Sequence, residues 1–390
     1  MKISDVSILR LAGTFTSPPF PPGDRQAQQL DIYPEFNARN PASGVGSSRI
    51  EALYVEVQTD EGLRGWGADS GVQAFPIVKT LRPFLPGRDP LATELLYDQM
   101  IRLDRHGRSG YFMTAVSAVD CALWDLKGKA WGQPVYRLLG GPTRSAVPAY
   151  ASMLSFSVDP EAAAQTAKEY RGLGYTAQKW FFRYGPGDGA VGLEKNLALA
   201  YAVREAVGGN YKLMFDAFMG WDATYAAEML RKLEPIQPVW MEEPIPPEHV
   251  GSFQKLRQNT KVPLATGEHI YTRWQTKELL VNQAVDFLQN DPDWTGGITE
   301  LSKVCALASA FDVPVVAHGH SLLPALHVAG AQSPGTVPFV EFLIRHQPAK
   351  QHFQTHFLQP ENGSVTLPSG PGLGFVLDEA KIEERAELRY

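Results

Sequence analysis

The chain has 390 residues, 44% of them hydrophobic and 20% charged, so it can bury a sizeable core and is not disordered as a whole. A formal net charge of −6 argues against a nucleic-acid binder, because neutralising phosphates requires a basic face. Cys121 and Cys305 are too few and too far apart for a disulfide framework or a structural zinc site, and no apolar run is long enough to span a bilayer.

The first residues, MKISDVSILRLAGTF, carry neither an unbroken apolar stretch nor a small-residue cleavage site, so the expected setting is the reducing cytoplasm and the expected partner a small molecule. Pro18 to Ser48, rich in Pro, Gly, Asn and Ser, reads as a loop able to carry binding groups. Ala52 to Val57 reads as a strand, turned by Thr59-Asp60-Glu61-Gly62 into a second strand, LRGWG, as a hairpin. Residues 72–135 read as helices; Val116, Val119, Leu123 and Leu126 share one helical face, and Gly132 with Pro134 ends the run.

From about residue 145, short apolar runs alternate with amphipathic helices such as Pro160–Gly172 and Tyr225–Leu233. The runs are 147–153, 175–182, 212–218, 239–244, 262–269, 285–291, 313–320 and 338–344. Such alternation implies a parallel sheet, and eight strands suit a closed barrel, with an open doubly wound sheet as the structural alternative. A Pro/Gly-rich and then charged tail follows Glu341.

The runs end in titratable side chains: Lys179, Asp216, Glu242, Glu268, Asp291, His318 and Glu341. From Asp216 onward successive members stand 23 to 27 positions apart. One strand-helix unit takes roughly that length in a barrel of about 250 residues, so the side chains share one height at the C-terminal mouth. Three carboxylates at one mouth, Asp216, Glu242 and Glu268, repel each other unless a hard divalent cation such as Mg²⁺ sits among them. Any one of them alone could be a helix cap or an ion-pair partner. An Asp beside a His fixes its tautomer and raises its basicity, which makes Asp291 and His318 a candidate general-base pair. His269 and His320 compete for the role of base, without an acid at the same strand-end phase.

These motifs resemble those of the mandelate racemase group of the enolase superfamily, over nearly the whole chain. AVSAVDCALWDLKGKAWGQPVYRLLGG (115–141) is similar to the family's approach to its barrel, FDAF, WMEEP and ATGEH to its metal-ligand strand ends, and QNDPDW with VVAHGHS to its Asp–His strands. The resemblance implies a TIM-like (β/α)7β barrel at 131–345. It also implies an α+β capping domain at 1–130, with the segment 346–390 returning to the cap. It further implies Mg²⁺ on Asp216, Glu242 and Glu268, with Glu243 as a non-ligand neighbour, and association into a homo-oligomer. Within the group, the likeness is to acid-sugar dehydratases.

One departure bears on the chemistry. Racemase-type members carry Lys-x-Lys on the second strand; here Lys179 matches the first lysine and Phe181 stands in place of the second. Phenylalanine carries no proton, so the two-base route to racemisation is blocked, unless a register shift restores Lys179 as the base. The expectation is dehydration of an aldonic or aldaric acid to a 2-keto-3-deoxy acid: His318 removes the α-proton, the metal stabilises the enediolate, and Lys179 and Glu341 hold the carboxylate region. Arg25, Arg39 and Arg49 are candidates to grip the substrate, joined by His269 and by Trp180, with Phe182 and Trp294 as further walls. A one-base epimerase or cycloisomerase shares every residue named, and a non-catalytic sugar-acid binding protein is the reading from outside enzymology. A dinucleotide-binding oxidoreductase is set aside, because Gly185-Pro-Gly187-Asp-Gly189 lacks the third glycine spacing.

Overall fold

A computed structural model describes residues 1–17, 26–33, 35, 47–69 and 74–388. The N-terminal part forms an antiparallel sheet from β1 (Ile3–Thr16), β2 (Ser47–Thr59) and β3 (Arg64–Asp69). β2 and β3 are the expected hairpin, with Val57 opposite Gly65; β1 was not anticipated as a strand and lies along β2 with Ile8 opposite Val55. Val6, Ile8, Val55 and Val57 pack against two helices, α1 (Thr93–Leu103) and α2 (Gly110–Ala130). α2 is apolar on nearly every face, which suits a helix enclosed by protein.

The remaining strands build a parallel sheet that curls on itself. They are β4 (Ala146–Ser152), β5 (Ala177–Phe181), β6 (Lys212–Asp216), β7 (Trp240–Glu242), β8 (Leu264–Thr266), β9 (Phe287–Leu288) and β10 (Val340–Leu343). Their order is β10-β4-β5-β6-β7-β8-β9, so the last strand in sequence pairs with the first. The chain is therefore a mixed α/β protein with a curled seven-stranded parallel sheet, and the doubly wound alternative falls away. The run 313–320, expected as a strand, makes a single parallel bridge from Val315 to Leu288. Pro314 has no N–H to donate, and at Gly319 (φ 82°) the backbone turns into the left-handed region.

Connecting helices begin where short polar side chains capture orphan N–H groups. Asp159 accepts from Glu161 and Ala162 at the start of α3 (Pro160–Gly172), and Asp222 caps α5 (Ala223–Leu233) in the same way; α4 (Gly189–Val207) lies between them. The sheet's outer face and these helices enclose the main core, including Trp180, Phe182 and Phe215. No helix among the described residues is long and apolar enough to cross a membrane.

The tail does not hang free. β11 (Ser364–Thr366) pairs antiparallel with β4, and β12 (Glu384–Glu387) adds a fourth strand beside β1. Asp125 on α2 fastens three segments at once, accepting from Trp66 N at 2.9 Å, Leu373 N at 2.8 Å and Lys129 Nζ at 2.6 Å. The carboxylate is fully buried, so its removal strands two backbone N–H groups. Asp125→Ala is expected to lower stability by about 3 kcal/mol or more, read as a fall in the urea midpoint.

Candidate active site

Alternation along the strands sets the site. Tyr150, Ala177, Met214, Trp240, Val316 and Phe339 form one apolar cluster, each from a different strand position. Side chains two residues apart on a strand share a face, so the next inward layer is Ser152, Lys179, Asp216, Glu242, His318 and Glu341. Glu268 joins from just beyond β8. Gly267 precedes it at φ 140°, where a Cβ would lie 2.7 Å from Gln289 N, so only glycine allows that turn.

Lys179 is fully buried at the centre. Its Nζ lies 2.6 Å from Glu242 Oε1, 3.1 Å from Glu341 Oε1 and 3.4 Å from Asp216 Oδ2. Burial opposes its charge, but Glu242 and Glu341 outweigh that and hold it protonated well above the usual lysine range. Asp216 is pushed up by burial and by the charge of Glu242, and burial raises Glu341 as well. Glu242 Oε2 also accepts from the Trp240 indole at 3.0 Å, and Asp216 Oδ1 from Phe218 N at 2.8 Å.

The histidine is bound differently from the sequence expectation. His318 Nδ1 lies 2.6 Å from Glu268 Oε2, while the carboxylate of Asp291 is occupied by the backbone N–H groups of Asp293, Gly319 and His320 at 2.8–3.3 Å. Burial works against a charged His318, yet Glu268 and Glu341 push the ring up to about 10, and despite its own burial Glu268 falls to about 2 beside that ring. Burial and neighbouring Asp293 lift Asp291 to about 7.

His320 and His269, with no acid at the same strand-end phase in the sequence, each meet a carboxylate from elsewhere. His320 Nδ1 is 2.8 Å from Asp293 Oδ2, and His269 Nδ1 is 3.1 Å from Glu243 Oε2. Glu243 is itself buried in the left-handed backbone region (φ 35°) and accepts from Thr266 Oγ1 at 2.8 Å. All three imidazoles gather around the Trp294 indole, with centroids 4.8 Å (His318), 5.3 Å (His320) and 5.8 Å (His269) away. Asp293 escaped the sequence reading, although the doubled acid in Asp291-Pro292-Asp293 was a visible signal.

Other expected residues fall elsewhere. Trp180, on the strand face opposite Lys179, is buried against the helices with its indole N–H on Gln178 Oε1 at 3.0 Å, so it does not reach the cluster; Phe182 shares that core. Phe181 takes the inward face, its ring 5.2 Å from Lys179 Nζ, so the register is not shifted. Arg49 is half-exposed on β2 and ion-paired with Glu384. Arg25, Arg39 and most of the Pro18–Ser48 loop lie outside the described residues.

The donor set fits a hard cation. Asp216, Glu242, Glu268 and Glu341 set four buried carboxylates around one buried ammonium, Lys179, with His318 at the edge, an excess of acidic groups that a divalent ion reduces. Both Glu341 oxygens and His318 Nδ1 are buried without a hydrogen bond of good geometry. Ligand atoms of Glu242, Glu268 and His318 lie within 4.8 Å of one another, as do those of Glu243, Glu268 and His269; Asp216 meets the first group through Lys179. Lys179→Met is expected to cost about 3–5 kcal/mol in unfolding free energy, measured by urea titration in chelator, because it leaves buried carboxylates uncompensated.

Residues 161–381 match the family described as enolase C-terminal domain-like, and residues 35–140 match the mandelate racemase / muconate lactonizing enzyme N-terminal domain. An L-rhamnonate dehydratase of Saccharopolyspora erythraea is 34% identical over 377 residues, 94% of this chain and 91% of that one. Among solved structures, L-rhamnonate dehydratase from Gibberella zeae has a TM-score of 0.82 at 29% identity, covering 97% of this chain and 94% of its own. A racemase from Streptomyces coelicolor A3(2) with bound magnesium gives 0.81 at 25%, covering 97% and 98%. The 3,6-anhydro-D-galactonate cycloisomerase from Zobellia galactanivorans gives 0.78 at 28%, covering 98% and 100%.

Proposed function

The chain belongs to the enolase superfamily of enzymes, in its mandelate racemase / muconate lactonizing enzyme family, and on that premise we propose that it dehydrates an acid sugar, an aldonic or aldaric acid, to a 2-keto-3-deoxy acid. The observation that carries the reading is the His318 imidazole set against the buried carboxylates of Glu242 and Glu268, with phenylalanine rather than a second lysine at position 181. Relatives named L-rhamnonate dehydratase support the same chemistry.

Asp216, Glu242 and Glu268 would hold Mg²⁺, which when bound supplies Lewis-acid stabilisation of the charge that develops on the substrate carboxylate. Lys179, fixed by Glu341, hydrogen-bonds that carboxylate from the floor of the site. His318 takes the α-proton on Nε2, the ring nitrogen that no described side chain engages, which requires Glu268 to turn away so that the ring is neutral. The C–H electron pair moves into the carboxylate and returns to expel the β-hydroxyl. His318 gives its proton to that oxygen, water leaves, and the enol becomes the ketone. Asp291 fixes the height of the ring through the Gly319 and His320 N–H groups rather than by direct contact. Phe181 denies the opposite face a base, which favours elimination over racemisation. His269 stands beside the carboxylates as a substrate hydrogen-bond donor, and Arg25, Arg39 and Arg49 remain candidates for the substrate's far end.

The proposal extends to the architecture. A (β/α)7β barrel over 131–345, capped by 1–130 with the return segment 346–390, is supported by the bridge at Val315, which carries the sheet one position past β9. It includes a homo-oligomer in the cytoplasm, in keeping with two buried free thiols.

Purified enzyme with Mg²⁺ should convert at least one aldonic or aldaric acid to a 2-keto acid, and chelation should stop it. His318→Asn should lower kcat by about 10²–10⁴-fold. Retention of full activity by that variant removes the assigned base. Exchange of the α-hydrogen in heavy water excludes a mere binding protein, and absence of both exchange and turnover would leave only that reading. Turnover of an anhydro acid without loss of water would move the reading to a cycloisomerase.

A further inference from the structure

A cavity of about 510 Å³ lies between the N-terminal sheet, the turn at His320–Ser321 and the segment after β10, a size suited to a small ligand. Ile50 to Tyr54 form one wall; His320, Ser321 and Lys350 form the other. His320 on that wall lies one ring from the candidate active site, its centroid 5.3 Å from the Trp294 indole, which stacks in turn on His318 at 4.8 Å.

Lys350 is the unusual group in this lining. It ends α6 (Gln347–Lys350), a short helix set against the turn at Gly319 by a bond from Gln347 Nε2 to Gly319 O at 3.1 Å. Arg10, the other cation lining the cavity, is already paired with Glu51 at 2.8 Å and faces Glu384 at 3.8 Å. Among the described residues no carboxylate lies within 4.0 Å of Lys350 Nζ, although Asp293, Asp291 and Glu341 attract it from farther off. The side chain is partly buried, and burial depresses its basicity. An ammonium with no direct ion-pair partner at the edge of a cavity is a ready receiver for an anion that enters it.

We propose that Lys350 receives a second acidic group at the far end of the substrate, so that the preferred class is the aldaric acids rather than monoacids. The inference rests on the acid-sugar reading above, with the reacting carboxylate at Lys179 and the distal one at Lys350. His320, oriented by Asp293, donates to or accepts from a hydroxyl between them. Lys350 is thereby a specificity residue that does not touch the reacting carbons.

The test compares hexaric acids with hexonic acids and L-rhamnonate, reading 2-keto acid formation with Mg²⁺ by wild type, Lys350→Met and Lys350→Arg. Calorimetric binding of the same acids to the same proteins runs in parallel. Wild type should favour diacids about tenfold or more in kcat/KM; Lys350→Met should cut that ratio by about 10- to 100-fold, mainly through KM, and Lys350→Arg should restore most of it. A wild type that prefers monoacids, or a ratio that Lys350→Met leaves unchanged, overturns the assignment. If no acid yields a keto product, the dehydratase reading fails and calorimetry judges Lys350 alone. Diacid binding weakened by Lys350→Met supports the assignment, and absent or Lys350-indifferent binding overturns it.

Discussion

A single ammonium surrounded by carboxylates organises this molecule. Lys179 is sealed from water beside Glu242, Glu341 and Asp216, and none of these groups is tolerable there alone. Removing an ion from water costs several kcal/mol, and partners recover that cost only when geometry is fixed. The rest of the sheet supplies the fixing. Tyr150, Ala177, Met214, Trp240, Val316 and Phe339 form a floor, and two residues after each comes a polar residue of the layer above it. The floor excludes water, which strengthens every charge interaction in the layer above.

Strength of that kind carries a chemical consequence. A weakly solvated cluster with more negative than positive charge binds hard cations and stabilises charge that develops on a bound acid. The histidines stand at its rim around Trp294, each with a carboxylate partner. Which ring is free to accept a proton depends on which carboxylate holds it, so Glu268, shared between His318 and the cation-binding set, couples the two functions.

Much of this was legible in the sequence. Regular spacing located Asp216, Glu242, Glu268 and Glu341, because a repeated strand-helix unit forces a constant phase, and Lys179 was marked as the titratable end of its own apolar run. Side-chain pairing was not legible. Asp291 and His318 sit on neighbouring positions as expected, but the turn through Gly319 presents backbone N–H groups to the carboxylate, and those occupy its oxygens. Trp180 was misplaced for a simpler reason: its neighbour Lys179 faces inward, and a period of two sends Trp180 outward. Lys350 lay beyond the last titratable strand end, in a region with no periodic signal.

The account stands or falls on where a divalent ion sits. Crystals grown with Mn²⁺ in place of Mg²⁺ and measured at the manganese absorption edge would locate it without reference to activity. The account predicts one strong anomalous peak within about 2.0–2.3 Å of oxygens from Asp216, Glu242 and Glu268, with His318 released from Glu268. A peak held instead by Glu243, Glu268 and His269, or none near Lys179, would contradict it.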